Sequence, residues 1–358
     1  MADFHPLKVI DIRQETRDAV VLTLEPANGE AVDFDFLQGQ YLTFRKEFEG
    51  EEIRRSYSIC SAVGSPYLQV GIKKVEGGLF SNWANDELKQ GDVMQAMSPM
   101  GNFHTSLNKN VGKNYLGFAG GSGITPFMSI IKTILKTEPD SQFILLYGNQ
   151  SSNTIMFREE LDDLKNTYLG RFSIIHVLER EAQEMELFNG RIDQEKCAIL
   201  FEKWIDLPAV DMAFICGPEP MMLAISKSLK ENGLDASKIK YELFATTKPT
   251  KQRELAKEQK ASDRVQKIKA SIIFDGLSRD VDIDKGVQSI LNAGLDAGMD
   301  LPHACKSGIC STCKCKVLEG EVEMDSNFAL EDYEVRAGYV LSCQSYPITD
   351  KVTVDYDQ

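Results

Sequence analysis

The sequence predicts a multidomain α/β and β protein: an antiparallel β-barrel, then a parallel α/β domain, then a small C-terminal domain built around cysteines. Three observations carry this. Short runs of alternating polarity, punctuated by Gly, Pro and Asn, fill residues 1–108. Apolar strands followed by amphipathic helices fill 109–245. Beyond a charged segment, the cysteines fall into a Cys-x4-Cys-x2-Cys…Cys pattern.

In the first segment the strand signals are VVLTLEP, YLTFRKEF and LQVGIKKV, with one helical stretch near Phe80–Lys89. The pattern then changes. YLGFAGGSG leads into PFMSIIKTILKT, FILLYGN into MFREELDDLKN, and MAFICGP into EPMMLAISKSLKEN. Strand–helix alternation of this kind means a parallel sheet with helical crossovers. Residues 246–264, TTKPTKQRELAKEQKASDR, hold almost no large apolar residue and read as a solvated linker. Residues 265–358 then carry strands near 267–274 and 279–283, a helix near Val287–Gly298 and the cysteine loop.

A length of 358 residues suits two or three domains, and 42% hydrophobic residues suffice to bury several cores. No basic n-region precedes an apolar run, and no apolar stretch reaches membrane-spanning length, so a soluble, cytoplasmic protein is expected. A formal charge of −14 disfavours nucleic acid and anionic membrane as partners, because both need a cationic face. Residues 265–358 hold 16 acids and 9 bases, so half of that excess sits on about a quarter of the chain. This is either plain solubility or a field that steers a basic partner.

Five of the eight cysteines fall in the last 54 residues. Cys305, Cys310 and Cys313, followed by Cys343, have the spacing of a plant-type 2Fe–2S cluster, in which one tight loop supplies three thiolates. Structural zinc prefers paired short spacings, which are absent here. Gly308 stands where the loop must curl, and Ser311 and Thr312 are small enough to leave room for the cluster. Cys315, two residues past a ligand, reads as a packed thiol.

With LPHACKSGICSTCKCKVLEGEVEM (301–324), AGYVLSCQ (337–344), AGGSGITP (119–126) and LFNGRID (187–193) in view, the chain resembles a ferredoxin–NADP reductase module fused to a plant-type ferredoxin domain. Over its full length it is similar to oxygenase reductase components of the phenylacetyl-CoA epoxidase type. That resemblance implies an FAD-binding barrel, an NAD(P)-binding α/β domain and a C-terminal β-grasp 2Fe–2S domain. It also implies an oxidoreductase that takes electrons from NADPH, with NADH as the alternative, through FAD and the cluster to a partner oxygenase. The acceptor so implied is the diiron epoxidase of phenylacetate catabolism. Another multicomponent mono- or dioxygenase is the alternative, and a non-enzymatic redox sensor is the reading from a different class.

Arg55-Ser56-Tyr57-Ser58 matches the family's flavin motif. Arg55 suits the FAD diphosphate, Tyr57 can lie against the isoalloxazine, and Ser58 can donate to flavin N5. Gly71, Ile72, Lys73 and Lys74, then Gly77, Gly78, Leu79, Phe80 and Ser81, form the second half, where Gly77, Gly78 and Ser81 open a helix whose N–H groups face an anion. A bare glycine turn is the plainer alternative. Gly120, Gly121, Ser122 and Gly123 join a strand to a helix, with Thr125 expected as N-cap and Pro126 as the first helical residue.

The resemblance places nicotinamide against this loop, beside Thr125, and beside Cys216 and Gly217 of a second loop. It gives Phe244 the task of shielding the flavin. Ser58, Thr125 and Cys216 are therefore the expected catalytic residues. For the 2′-phosphate of NADPH, Ser151, Ser152, Arg158 and Arg180 are the candidates, in a region where Gln150 and Glu179 replace residues common in relatives. A carboxylate at 179 is expected to repel the phosphate. His5, His104, His176 and His303 show no metal spacing, and Met221, Met222 and the Leu223–Leu229 stripe read as helix core.

Overall fold

The computed structural model describes residues 3–27, 34–244 and 266–358. The expected linker, 246–264, lies outside them. By contacts these residues form two compact units, one of His5–Glu52 with Tyr57–Phe244, the other containing Phe4, Ile53–Ser56 and the C-terminal region.

The N-terminal antiparallel sheet comprises β1 (His5–Thr16), β2 (Ala19–Pro26), β3 (Tyr41–Phe48), β4 (Glu51–Ser58), β5 (Leu68–Lys73) and β6 (Val93–Ala96), in the order β4-β3-β6-β1-β2-β5. An antiparallel bridge between Ile59, just past β4, and Val70 of β5 brings the two edges together as in a barrel. Valine and leucine dominate the buried positions of β2, whose residues Ala19–Leu24 are all buried. The helical stretch is α1 (Leu79–Asp86).

The parallel sheet follows. Its strands are β7 (Asn114–Gly120), β8 (Gln142–Asn149), β9 (Phe172–Leu178), β10 (Met212–Gly217) and β11 (Ile239–Leu243), in the order β11-β10-β7-β8-β9. Crossover helices are α2 (Ile124–Thr137), α3 (Arg158–Thr167), α4 (Gln194–Lys203) and α5 (Glu219–Glu231). The strand order reverses between β7 and β10, and in such sheets ligands bind beyond the carboxyl ends of the strands at that point. Barrel and α/β sheet share one core: Ala19, Val21, Cys60 and Phe103 cluster with Phe127, Phe143, Met156, Phe157 and Phe214. Within α5, Met222, Ile225 and Leu229 are buried as expected, whereas Leu223 is exposed, because its position turns away from that face.

The C-terminal sheet contains β12 (Lys267–Phe274), β13 (Leu277–Asp284), β14 (Lys314–Glu319), β16 (Tyr339–Leu341) and β18 (Lys351–Asp355), in the order β13-β12-β18-β14-β16. Only β12 and β18 run parallel. A short ladder joins β15 (Val322–Met324) to β17 (Ser345–Pro347). The helices here are α6 (Ile290–Asp296) and the short α7 (Asp332–Arg336), and Ser289 caps α6 by accepting from the Asn292 N–H. A helix over a mixed sheet that ends on its first strand's parallel neighbour is the β-grasp arrangement.

Candidate functional site

The reversal of strand order puts Gly120 of β7 and Gly217 of β10 side by side at the carboxyl ends of their strands. Both must be glycine. A Cβ on Gly217 would lie 3.1 Å from Gly120 Cα and 2.6 Å from Met221 Cε, and one on Gly120 would meet Pro218 Cδ at 2.8 Å. One loop turn later, a Cβ on Gly123 would lie 2.3 Å from the Cys216 carbonyl oxygen. The two loops singled out in the sequence are therefore in backbone contact. Gly121 takes φ +53°, and its carbonyl accepts a hydrogen bond from the buried Tyr147 hydroxyl at 3.0 Å.

Thr125 does not cap the helix. A 3-10 turn over Gly121–Gly123 runs into α2, Gly123 is the N-cap, and Thr125 is the second helical residue, with its hydroxyl donating to the Ser122 carbonyl at 3.1 Å. Pro126 is correspondingly third rather than first, still within the turn whose N–H groups have no helical partner. What Thr125 does is meet the barrel. Its Cγ2 would stand 2.8 Å from a Cβ on Gly71 of β5, with Met156 Cε and Phe157 Cζ each at 3.3 Å. Gly71 thus permits the close approach of barrel and nucleotide domain.

Next to this junction is a carboxylate that sequence reasoning missed. Glu242 on β11 pairs in register with Cys216 on β10, and Ser58, at the end of β4, donates its hydroxyl hydrogen bond to Glu242 Oε2 at 3.2 Å. Burial pushes the Glu242 carboxyl up from 4.5 to about 8, with the Ser58 hydroxyl pulling the other way. The Cys216 thiol is pushed well above its ordinary value, by burial first and by Glu242 second. At neutral pH both groups hold their protons. Glu242 as a residue is only half-buried, so water retains some access to it. The available signal was the acid inside YELF, the strand that precedes Phe244. Phe244 itself packs, partly buried, against the shared core.

The other flavin-motif residues are more scattered in role. Tyr57 packs its ring against Phe80 at 5.7 Å and Phe44 at 6.3 Å. Phe80 is buried, so only its backbone can serve a ligand, while Leu79 is exposed. Gly78 is the N-cap of α1, and the Ser81 hydroxyl accepts from the Val75 N–H at 3.1 Å, which ties it to the turn. The Ile72 carbonyl accepts from Asn85 at 3.1 Å, and Lys73 pairs with Asp18 at 3.5 Å. Arg55 is exposed and donates to the Arg54 carbonyl at 2.7 Å; Ser56 follows it on the same strand.

At the far end of β8 and β9, Arg180 and Ser152 of the expected 2′-phosphate set are each tied to a neighbouring residue. The Arg180 N–H donates to the Gln150 carbonyl at 2.8 Å, and the Ser152 N–H donates to Glu181 at 2.7 Å. Glu179, expected to repel, is held by Arg191 through bonds of 3.0 and 2.8 Å, which lower its carboxyl below the ordinary range. Arg191 lies within the LFNGRID stretch but was not among the candidates.

The cysteine loop gathers sulfur. Cys305 Sγ lies 3.1 Å from Cys310 Sγ and accepts the Ser307 and Cys310 N–H groups, each at 3.4 Å. Hydrogen bonds from Cys310 and then Cys343 pull the Cys305 thiol far down, and Cys343 in turn is pushed up by Cys305 and Cys313. So the four predicted ligands converge. Converging sulfurs, with amide donors already aimed at Cys305, suit a sulfide-bridged pair of irons. Gly308 takes φ +76°, and a Cβ there would strike the Ser326 carbonyl at 2.5 Å, so the loop curls against Ser326. Cys315 is buried in the core with its thiol pushed well up, by burial first. His303 turns Nδ1 to the Leu301 carbonyl at 2.8 Å.

Family models match in the same order: an oxidoreductase FAD-binding domain over 6–105, an oxidoreductase NAD-binding domain over 118–227 and a 2Fe–2S cluster binding domain over 272–347. Over 357 residues the chain is 41% identical to one component of the 1,2-phenylacetyl-CoA epoxidase of Escherichia coli K12, covering 100% of this chain and 99% of that one. The chain belongs to the oxygenase reductase family. This reductase is also 31% identical to the reductase component of the glycine betaine monooxygenase of Pseudomonas aeruginosa, over 98% of this chain and 95% of that one. Phthalate dioxygenase reductase has the same fold, with a TM-score of 0.60, 22% identity and 98% of each chain covered. A self-sufficient cytochrome P450 monooxygenase matches with a TM-score of 0.72 and 21% identity, over 98% of this reductase and 41% of that longer chain. The reductase is an oxidoreductase that uses FAD, a pyridine nucleotide and a 2Fe–2S cluster. Among the described residues no helix is long and apolar enough to cross a membrane.

Proposed function

We propose that this reductase draws electrons from NADPH and delivers them to a diiron oxygenase of the phenylacetyl-CoA epoxidase type. The observation that carries the acceptor is the likeness to the E. coli epoxidase component along the whole length of both chains. When bound, FAD and the cluster supply the conversion of a hydride into single electrons, which no side chain performs.

The residues then have the following tasks. Cys305, Cys310, Cys313 and Cys343 hold the cluster. Arg55, Tyr57 and the Gly78–Ser81 turn bind FAD, and Gly120–Gly123 with Gly217 admit the nucleotide backbone. Ser58, Thr125 and Cys216 border the reacting rings, where the closeness of Thr125 to Gly71 supports a narrow, water-poor junction. Glu242 keeps a proton beside Ser58 Oγ, and its elevated carboxyl supports that task at neutral pH. NADPH over NADH is favoured by Arg191, which neutralises the carboxylate at 179 and leaves Arg180 to attract the phosphate. A cytoplasmic location belongs to the same reading and rests on eight cysteines of which none is in a disulfide, as a reducing compartment favours.

The test is NADPH-driven reduction of cytochrome c by the loaded protein, followed by turnover of phenylacetyl-CoA with an epoxidase oxygenase. Cys310→Ala should abolish cytochrome c reduction and leave flavin reduction by NADPH intact. Equal loss of both refutes the electron order. Coupling to a glycine betaine oxygenase instead of the epoxidase refutes the acceptor.

A further inference from the structure

Beyond the four cysteines, the C-terminal sheet points a fifth polar group at the cluster loop. Strands β14 and β18 are antiparallel, with Lys316 opposite Asp355 and Val317 opposite Val354. Continuing that register by one residue sets Tyr356 opposite Cys315. Strand alternation does the rest. Val352 and Val354 face the core, so Tyr356 faces it too, and Cys313 and Cys315 share the facing surface of their own segment. Tyr356 is pinned there: its N–H donates to the Ile273 carbonyl at 2.9 Å, and its ring meets Phe274 edge-on at 6.0 Å.

The hydroxyl at the end of that ring is buried and has no hydrogen-bond partner. Cys315, Cys313 and Cys343 all act on it electrostatically, so two of the four proposed ligands lie within range of its charge. Ser342 also acts on the phenol; its hydroxyl donates to the Cys313 carbonyl at 2.9 Å and so offers only a lone pair, a neutral acceptor weaker than a thiolate. A buried phenol with no partner is costly, and such groups in native folds await a ligand or water. Here the missing acceptor has an obvious chemistry. Once the loop is loaded, its sulfurs are anionic and each accepts hydrogen bonds, as the Ser307 and Cys310 amides already show at Cys305.

We propose that the Tyr356 hydroxyl donates a hydrogen bond to the sulfur of Cys313 or Cys343 in the loaded protein and thereby raises the reduction potential of the cluster. A donor to sulfur favours the more negative, reduced cluster over the oxidised one, which gives the sign. This rests on the cluster ligation proposed above.

The experiment uses full-length protein with FAD and cluster bound. Potentiometric titration followed by electron paramagnetic resonance reads the one-electron reduction equilibrium, and pulsed resonance in D2O reads exchangeable protons at the cluster. Tyr356→Phe should lower the equilibrium constant for reduction by about tenfold, which is ~59 mV for one electron, and should remove one exchangeable-proton coupling. Cluster content and flavin reduction by NADPH should be unchanged. Replacing Tyr356 with 3-fluorotyrosine, a stronger donor of nearly the same shape, should shift the potential upward; it decides the matter even if Tyr356→Phe fails to retain the cluster. Unchanged potential and coupling in both variants overturn the proposal. So does loss of the coupling in Cys315→Ala, since the exchangeable proton would then be that of the spare thiol. Absence of any 2Fe–2S signal in the unaltered protein would instead sink the ligation itself.

Discussion

Replacing Glu242 with Gln keeps the size of the side chain and removes a carboxyl that burial has moved from 4.5 to about 8. The gap of about 3.5 corresponds to ~5 kcal/mol of preference for the protonated form. The sign follows from proton linkage. Above pH 4.5 the unfolded chain ionises this group while the folded protein keeps it protonated, so the native state binds more protons and loses stability as pH rises. That loss stops near pH 8, where the folded carboxyl ionises too. Relative to Glu242→Gln, the unaltered protein should therefore become less stable by up to ~5 kcal/mol between pH 4.5 and 8, with no further change above. Opening free energies of β11 amides, measured by hydrogen exchange on both proteins at each pH, report this without assuming two-state unfolding. The carboxyl C=O stretch near Ser58, isolated as an infrared difference between the two proteins, titrates directly. A midpoint below pH 6 refutes the reasoning, because a carboxylate ionised there is not destabilised by burial.

Four other outcomes are expected. Gly71→Ala should push its new methyl into Thr125 and cost about 1–3 kcal/mol in thermal unfolding; Thr125→Ser, which removes Cγ2, should recover most of that in the double variant, and simple additivity would contradict direct contact. Arg191→Ala should raise KM for NADPH more than for NADH, and Glu179→Gln should do the reverse; identical effects on both nucleotides would remove this pair from phosphate recognition. Cys310→Ala should separate the two activities as described, read by stopped-flow flavin bleaching beside cytochrome c reduction. Tyr356→Phe should lower the cluster potential without altering cluster content.

The expected site was legible wherever its chemistry is local in the chain. The cysteine loop, the glycines of the strand-to-helix turn and the Cys-Gly-Pro loop are each short segments whose residue types answer one steric or ligand demand. Errors arose where a residue's surroundings come from elsewhere. Thr125 reads as an N-cap by its place before proline, yet the glycine turn ahead of it winds into a 3-10 helix and takes that position. Gly71 reads as part of the flavin turn, and nothing in that turn shows that its missing side chain also admits Thr125 of α2. Glu179 reads as a free negative charge until Arg191, twelve residues on, is brought onto it.

By itself, then, the sequence determined the order of the three folded regions and the cluster-type spacing of the four thiols, because spacing and periodicity are properties of short stretches; FAD and the pyridine nucleotide entered through the resemblance those stretches carry. Only the tertiary structure decided which groups stand beside them. Parallel pairing of β10 with β11 sets Glu242 against Cys216, and the end of a barrel strand lays Ser58 upon it. Antiparallel pairing of β14 with β18 carries Tyr356 to the cysteine loop. Register between strands far apart in the chain fixes these neighbours, and with them the burial that holds a proton on Glu242 and leaves the Tyr356 hydroxyl without a partner.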